Sequence, residues 1–167
     1  MNHSLYLHSL DPIEGIAAVR RAKRAIKGLR FDAIAFSGMS GALVAPSVAM
    51  SLRKPMILVR KQSDDCHAGG GAVEGALDAE TYIIIDDFIS SGDTLKRIHA
   101  SVVKASEHSY RARKIACVGI YLYRYNELYV AENATSRPGL ADIISAMPVP
   151  PQVQTCEYTG VPIPQYP

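Results

Sequence analysis

Residues 82–94 read YIIIDDFISSGDT. Three consecutive isoleucines behind a tyrosine form a short, β-branched apolar run, which predicts a buried strand over residues 82–85. The run ends on two adjacent carboxylates, Asp86 and Asp87. Two neighbouring negative charges repel each other unless a cation or hydroxyl groups lie between them. The small polar residues that follow, Ser90, Ser91, Gly92 and Thr94, cannot build a core. They can, however, turn backbone N–H groups toward an anion at the start of a helix, predicted over residues 94–106 with Leu95, Ile98, Val102 and Val103 facing inward. Thr94 also suits a plain helix cap.

Working outward, the same grammar repeats. Residues 31–36 (FDAIAF) and 55–59 (PMILV) read as strands, and residues 115–122 (IACVGIYL) as a fourth. Between them, residues 42–52 read as a helix of small apolar residues. Pro46 is tolerated there if the helix begins near Ala45. Upstream, Asp11 and Pro12 mark a helix start with Glu14 three residues after the cap. Apolar residues follow at Ile13, Ile16, Val19, Ala22, Ile26 and Leu29. Arg20, Arg21, Lys23, Arg24 and Lys27 lie between them as a solvated face.

Strands and helices alternate, and the strands are continuous apolar runs. That pattern predicts an α/β, Rossmann-like open sheet, mostly parallel, with helices on both faces. Residues 60–80 are polar and glycine-containing, and read as a long loop or irregular ribbon. Residues 123–147 read as mixed short elements, and the tail from Pro148 is proline-rich and extended. The expected organisation is one domain over residues 1–167.

Ligands of open α/β sheets bind beyond the carboxyl ends of the strands. Three polar segments follow strands directly: Ser37-Gly38-Met39-Ser40-Gly41, the 60–75 segment opening with Arg60 and Lys61, and residues 86–94. All three are expected at one edge. The first lacks the lysine of a P-loop and is not GxGxxG. An aspartate-nucleophile phosphatase would need a DxD pair after its strand, and here the acids are adjacent. Cys66-His67 has no second pair at zinc spacing. A phosphate cradle, a carboxylate pair and a second anion loop suggest one ligand with phosphates at both ends and a diol between.

The composition agrees with such a protein. Of 167 residues, 48% are apolar and 20% charged, with a formal charge of +2, too small to argue for nucleic acid. No apolar segment is long enough to cross a membrane and no signal peptide is read at the N-terminus. Three unpaired cysteines fit a reducing compartment, so a cytoplasmic protein is expected.

Residues 82–94 resemble the donor-binding segment of the type I phosphoribosyltransferases. That segment has four apolar residues, two acidic, two apolar, then small polar residues around a glycine, ending in serine or threonine. The resemblance spans residues 32–103. It implies phosphoribosyl pyrophosphate as donor, Mg²⁺ held by Asp86 and Asp87, and those carboxylates near the ribose hydroxyls. Ser90, Ser91, Gly92, Asp93 and Thr94 would hold the 5′-phosphate. Ser37, Gly38, Met39, Ser40 and Gly41 would form the pyrophosphate loop, and Arg60 and Lys61 the basic pair facing pyrophosphate. Lys61, His67, Asp86 and Asp87 would form the catalytic set.

Residues 60–75 look most like the loop of orotate members, with two departures: Asp64 and Asp65 precede His67, and Ala68 follows it. Residues 1–12 and 123–147 are the candidate base-recognising hood. The resemblance further implies a homodimer. The expected activity is transfer of phosphoribosyl to a nucleobase, an orotate-like pyrimidine ahead of a purine. A non-catalytic sensor of the same donor, using the basic face of residues 20–27 on RNA, is the alternative.

Overall fold

The computed structural model describes residues 11–61, 72–89, 92–109 and 115–130. Helix α1 (Pro12–Ala25) begins as its sequence requires. The Asp11 carboxylate accepts from the N–H groups of Ile13 and Glu14, and Pro12 occupies the first turn. There follow β1 (Ala33–Ser37), a five-residue helix α2 (Gly38–Ala42), α3 (Ala45–Leu52) and β2 (Met56–Val59). Then come β3 (Val73–Gly75), β4 (Thr81–Asp86), α4 (Asp93–Glu107), β5 (Ala116–Leu122) and β6 (Glu127–Val130).

The strands form one sheet in the order β3-β2-β1-β4-β5-β6. The central pairs β1–β2, β1–β4 and β4–β5 are parallel, and the two edges, β3 on β2 and β6 on β5, are antiparallel. The isoleucine run lies at the centre and explains its own composition. Ile84 packs with Ala33, Ala35, Leu95, Ile98 and Val102 on the face covered by α4. Ile83 and Ile85 pack with Ile34, Phe36, Val48 and Ala22 on the face covered by α1 and α3. The middle of a strand covered on both sides favours apolar residues, and each buried isoleucine stabilises the fold by roughly 1.5–3 kcal/mol. At the lower end of the sheet, the Asp32 carboxylate accepts from Thr81 N–H and Oγ1–H at 2.9 and 2.8 Å, which fixes where β4 enters beside β1.

The fold departs from the expectations in two places. Residues 37–41 are a strand end followed by a helical turn, not an open glycine turn: Ser37 closes β1 and α2 starts at Gly38. Within the supposed irregular 60–80 segment, residues 73–75 form an edge strand. Val73 pairs with Val59 and is buried, while Gly75, at φ +113°, lets the Met56 carbonyl approach where a side chain would stand. Residues 123–130 are a turn and β6, completing a hairpin with β5. The remaining hood segments, residues 1–10 and 131–147, lie outside the described residues, as do the tail and His67. Among the described residues no helix is long and apolar enough to cross a membrane.

Candidate active site

Strands β1, β2 and β4 end side by side, so the segments that follow them meet at one edge. Between them lies a cleft of about 180 Å³. Its lining includes Ser37 and Ser40 after β1, Lys61 after β2, Asp86 and Asp87 at the end of β4, and Gly92, Thr94 and Arg97 at the start of α4. Phe88 and Ile89 supply an apolar wall.

The acid pair is the chemically unusual part. Asp86 is 3% exposed and Asp87 7%. Their backbone carbonyls accept from Tyr123 and Arg124 N–H, so β5 holds the pair past the formal end of β4. The Asp86 carboxylate accepts from the Asp87 N–H at 3.0 Å. Burial pushes the Asp86 carboxyl up to about 7, the Ser40 hydroxyl hydrogen bond pulls it back in part, and the neighbouring Asp87 charge raises it again. A carboxylate buried at this cost makes Asp86 a candidate functional position.

The rest of the cleft is built from backbone and cationic side chains. Gly92 occupies the N-cap of α4 at φ +78°, a conformation that favours glycine. Since the cap has no side chain, no side-chain hydrogen bond caps the helix, and the plain-cap reading of Thr94 is corrected: Thr94 lies inside the first turn and lines the cleft. Gly38 has φ +61°, and a Cβ there would stand 2.8 Å from Lys61 Cε. The lysine side chain therefore lies across the glycine on its way to the cleft. Gly41 lets α2 sit against the sheet, since a Cβ would meet Phe36 Cβ at 2.7 Å and the Ile85 carbonyl at 3.2 Å.

Not every expected residue reaches the cleft. Arg60 points away from it: the guanidinium pairs with Glu74 of β3 at 2.6 Å, because successive residues leaving a strand project to opposite sides. Met39 is 63% exposed, and Asp93 faces outward near Lys96. Gly38 and Gly41 act through backbone and close packing rather than as lining. Ser90, Ser91 and His67 lie outside the described residues.

Two residues were missed by the sequence reading. Arg97 lines the cleft and donates to Ser37 Oγ at 2.9 Å and to the Arg60 carbonyl at 3.0 Å. Its guanidinium thereby joins the starts of three post-strand segments. Arg124, at the β5–β6 turn, sits over the Phe88 ring at 5.7 Å. Tyr123, buried beside it, donates to the Ser40 carbonyl and ties the hairpin to α2. The available signal was position: Arg97 falls one turn into the helix that follows the acid pair, and Arg124 directly after a buried strand.

Mg²⁺ fits this donor set in a restricted sense. Among the described residues no cluster of three or more metal-ligating side chains occurs. Two adjacent carboxylates fit a cation shared with a phosphorylated ligand rather than one caged by protein alone.

No family model matches the chain. The orotate phosphoribosyltransferase of Archaeoglobus fulgidus is 27% identical over 84 residues, 50% of this chain and 46% of that protein. The chain thus spans about half the length of the curated relative it matches. Among solved structures, orotate phosphoribosyltransferase from Aeropyrum pernix has a TM-score of 0.51 at 14% identity, covering 71% of this chain and 64% of that one. Adenine phosphoribosyltransferase from Thermoanaerobacter pseudethanolicus has a TM-score of 0.46 at 20% identity, covering 65% and 68%. The likeness to the Aeropyrum structure shows a shared fold, the α/β fold of the type I phosphoribosyltransferases.

Proposed function

We propose that this chain, with its type I phosphoribosyltransferase fold, binds phosphoribosyl pyrophosphate in the cleft and transfers the phosphoribosyl group to a nucleobase. The observation that carries the reading is the buried Asp86–Asp87 pair flanked on both sides by anion-binding elements, the α4 N-terminus on one and Ser37, Ser40 and Lys61 on the other. Few ligands present a diol between two phosphorylated ends, and this donor is one. The curated relative, an orotate phosphoribosyltransferase, supports the same reading over the half of the chain that it matches.

In this reading the first turn of α4 receives the 5′-phosphate. Asp86 and Asp87 accept from the ribose hydroxyls, and their negative charge favours the positive charge that develops on the ring as the C1–oxygen bond opens. Lys61 and the backbone of α2 face the departing pyrophosphate. A ring nitrogen of the base forms the new bond to C1 and its N–H proton is released to solvent, as pyrophosphate leaves with the bonding electron pair. Asp86 and Asp87 would hold Mg²⁺, which when bound neutralises charge on the donor's oxygens. Phe88 offers a flat apolar surface near the sugar site, and Arg124 over that ring supplies a cation. A base carrying an anionic group suits this pair, which favours an orotate-like pyrimidine over a neutral purine.

The roles of Ser90, Ser91 and His67 in this reading rest on the resemblance alone. So does homodimerisation, which sedimentation checks directly. The test of function is pyrophosphate release from the donor with Mg²⁺ across a panel of free bases. Release on a single pyrimidine is expected. Donor binding with release on no base would replace the enzyme by a donor sensor.

A further inference from the structure

The structure assigns to Arg97 a task that no motif marks: it is the positioning residue that holds the pyrophosphate side of the cleft together. The inference rests on the donor-site reading above and adds to it. Arg97 leaves α4 half-buried and reaches across the ends of two other strands. One terminal nitrogen donates to Ser37 Oγ at 2.9 Å, where β1 becomes α2. The other donates to the Arg60 carbonyl at 3.0 Å, where the chain leaves β2.

One contact acts on Ser37, which lines the cleft, and the other on the residue that precedes Lys61, which also lines it. The Arg60 carbonyl belongs to the peptide that leads directly into Lys61, so fixing it sets the point from which the lysine side chain starts. That lysine then crosses Gly38, the first residue of α2. Ser37 is 2% exposed, and as its oxygen accepts from Arg97 its own hydroxyl proton is directed elsewhere. A planar guanidinium spans two acceptors in a fixed geometry that an ammonium cannot reproduce. Of its five N–H donors two are used in these bonds. The same group carries a positive charge into a cleft that already holds Lys61 opposite two carboxylates. The ligand chemistry that such a set recognises is a polyanion, pyrophosphate in particular.

The experiment titrates inorganic pyrophosphate, and separately phosphoribosyl pyrophosphate with Mg²⁺, into the wild-type protein and into R97Q, R97K and S37A. R97Q is expected to weaken pyrophosphate binding by roughly 10- to 100-fold, the loss of charge-assisted hydrogen bonds to one group. R97K is expected to recover part of this, since charge returns without the fork. Binding losses in R97Q and S37A are expected to be non-additive in the double variant, because one bond is removed by both. A merely structural arginine would lower thermal stability and leave pyrophosphate affinity, rescue by lysine and the coupling unmoved; that result overturns the inference. Tighter pyrophosphate binding by R97Q overturns it as well, since the guanidinium would then be blocking the site.

Should R97Q fail to fold, S37A and R97K carry the test, and unchanged affinity in both overturns the assignment. Wild-type protein that binds pyrophosphate but not the phosphoribosyl donor would remove the functional reading and leave the Arg97 assignment to be judged on its variants. Wild-type protein that binds neither removes both.

Discussion

Asp86→Asn is expected to stabilise the protein at neutral and alkaline pH while abolishing the proposed phosphoribosyl transfer. The Asp86 carboxyl is raised from 3.8 to about 7, first by burial and also by the Asp87 charge beside it. In the unfolded chain the group ionises near its ordinary value, so between about 4 and about 7 the folded protein binds a proton that the unfolded one has lost. Stability therefore falls as pH rises through that window. Above it, the folded state carries a penalty on the order of 4 kcal/mol, about 1.36 kcal/mol for each unit of displacement. Asparagine removes the charge and keeps the shape, and its Oδ1 still accepts the Asp87 N–H that the carboxylate now receives at 3.0 Å.

The assay is urea unfolding of wild type and D86N from pH 4 to pH 9. A gain of about 2–4 kcal/mol for D86N at pH 8 that shrinks toward zero near pH 4 is expected. An asparagine variant less stable than wild type at pH 8, or a difference that does not change with pH, would refute the reasoning. Millimolar Mg²⁺ together with the donor should narrow the gap, because a bound cation favours the ionised wild-type carboxylate.

Asp87→Asn should lower turnover on the order of 100-fold, as for removal of one electrostatic contact to a developing charge, with a far smaller effect on stability; wild-type turnover would remove the proposed role. Gly75→Ala should destabilise by about 1–3 kcal/mol, because its Cβ would stand 2.0 Å from the Met56 carbonyl oxygen at φ +113°. A neutral result in chemical denaturation would mean that the β2–β3 edge is not built as described. Ile84→Ala, at the centre of the α4 face, should cost about 2–5 kcal/mol by the same measurement. Glu74→Gln should change stability by less than about 1 kcal/mol, because the Arg60–Glu74 pair is partly exposed, with side chains at 31% and 45%.

The centre of the fold was legible because its physics is local. The middle of a strand buried on both faces favours apolar residues, and residues 83–85 say so directly. The position of the acid pair was legible too, since the apolar run ends there: Asp86 closes β4 and both carboxylates line the cleft. The edges were harder to read. Residues 73–75 are three residues ending in glycine, too short for a periodicity, and their pairing is set by β2 rather than by themselves. Residues 37–41 read as a turn because glycine is permissive; their winding into α2 depends on the close seat of Gly41 against Phe36.

At the site, residue type was a better guide than direction. Arg60 and Lys61 looked equivalent, yet one step along the chain turns Arg60 to Glu74 and Lys61 to the cleft. Arg97 was hidden for a related reason. A basic residue on an amphipathic helix reads as solvent-facing, and only the neighbouring strand ends reveal the two acceptors that it reaches.

The central claim is that the cleft over Asp86 and Asp87 holds a phosphoribosyl donor. The most direct measurement is calorimetric titration of phosphoribosyl pyrophosphate into the protein with and without Mg²⁺, with D86N as the comparison. Micromolar binding that requires Mg²⁺ and is lost in D86N is the predicted result. Wild-type protein that takes up no donor under either condition would contradict the account.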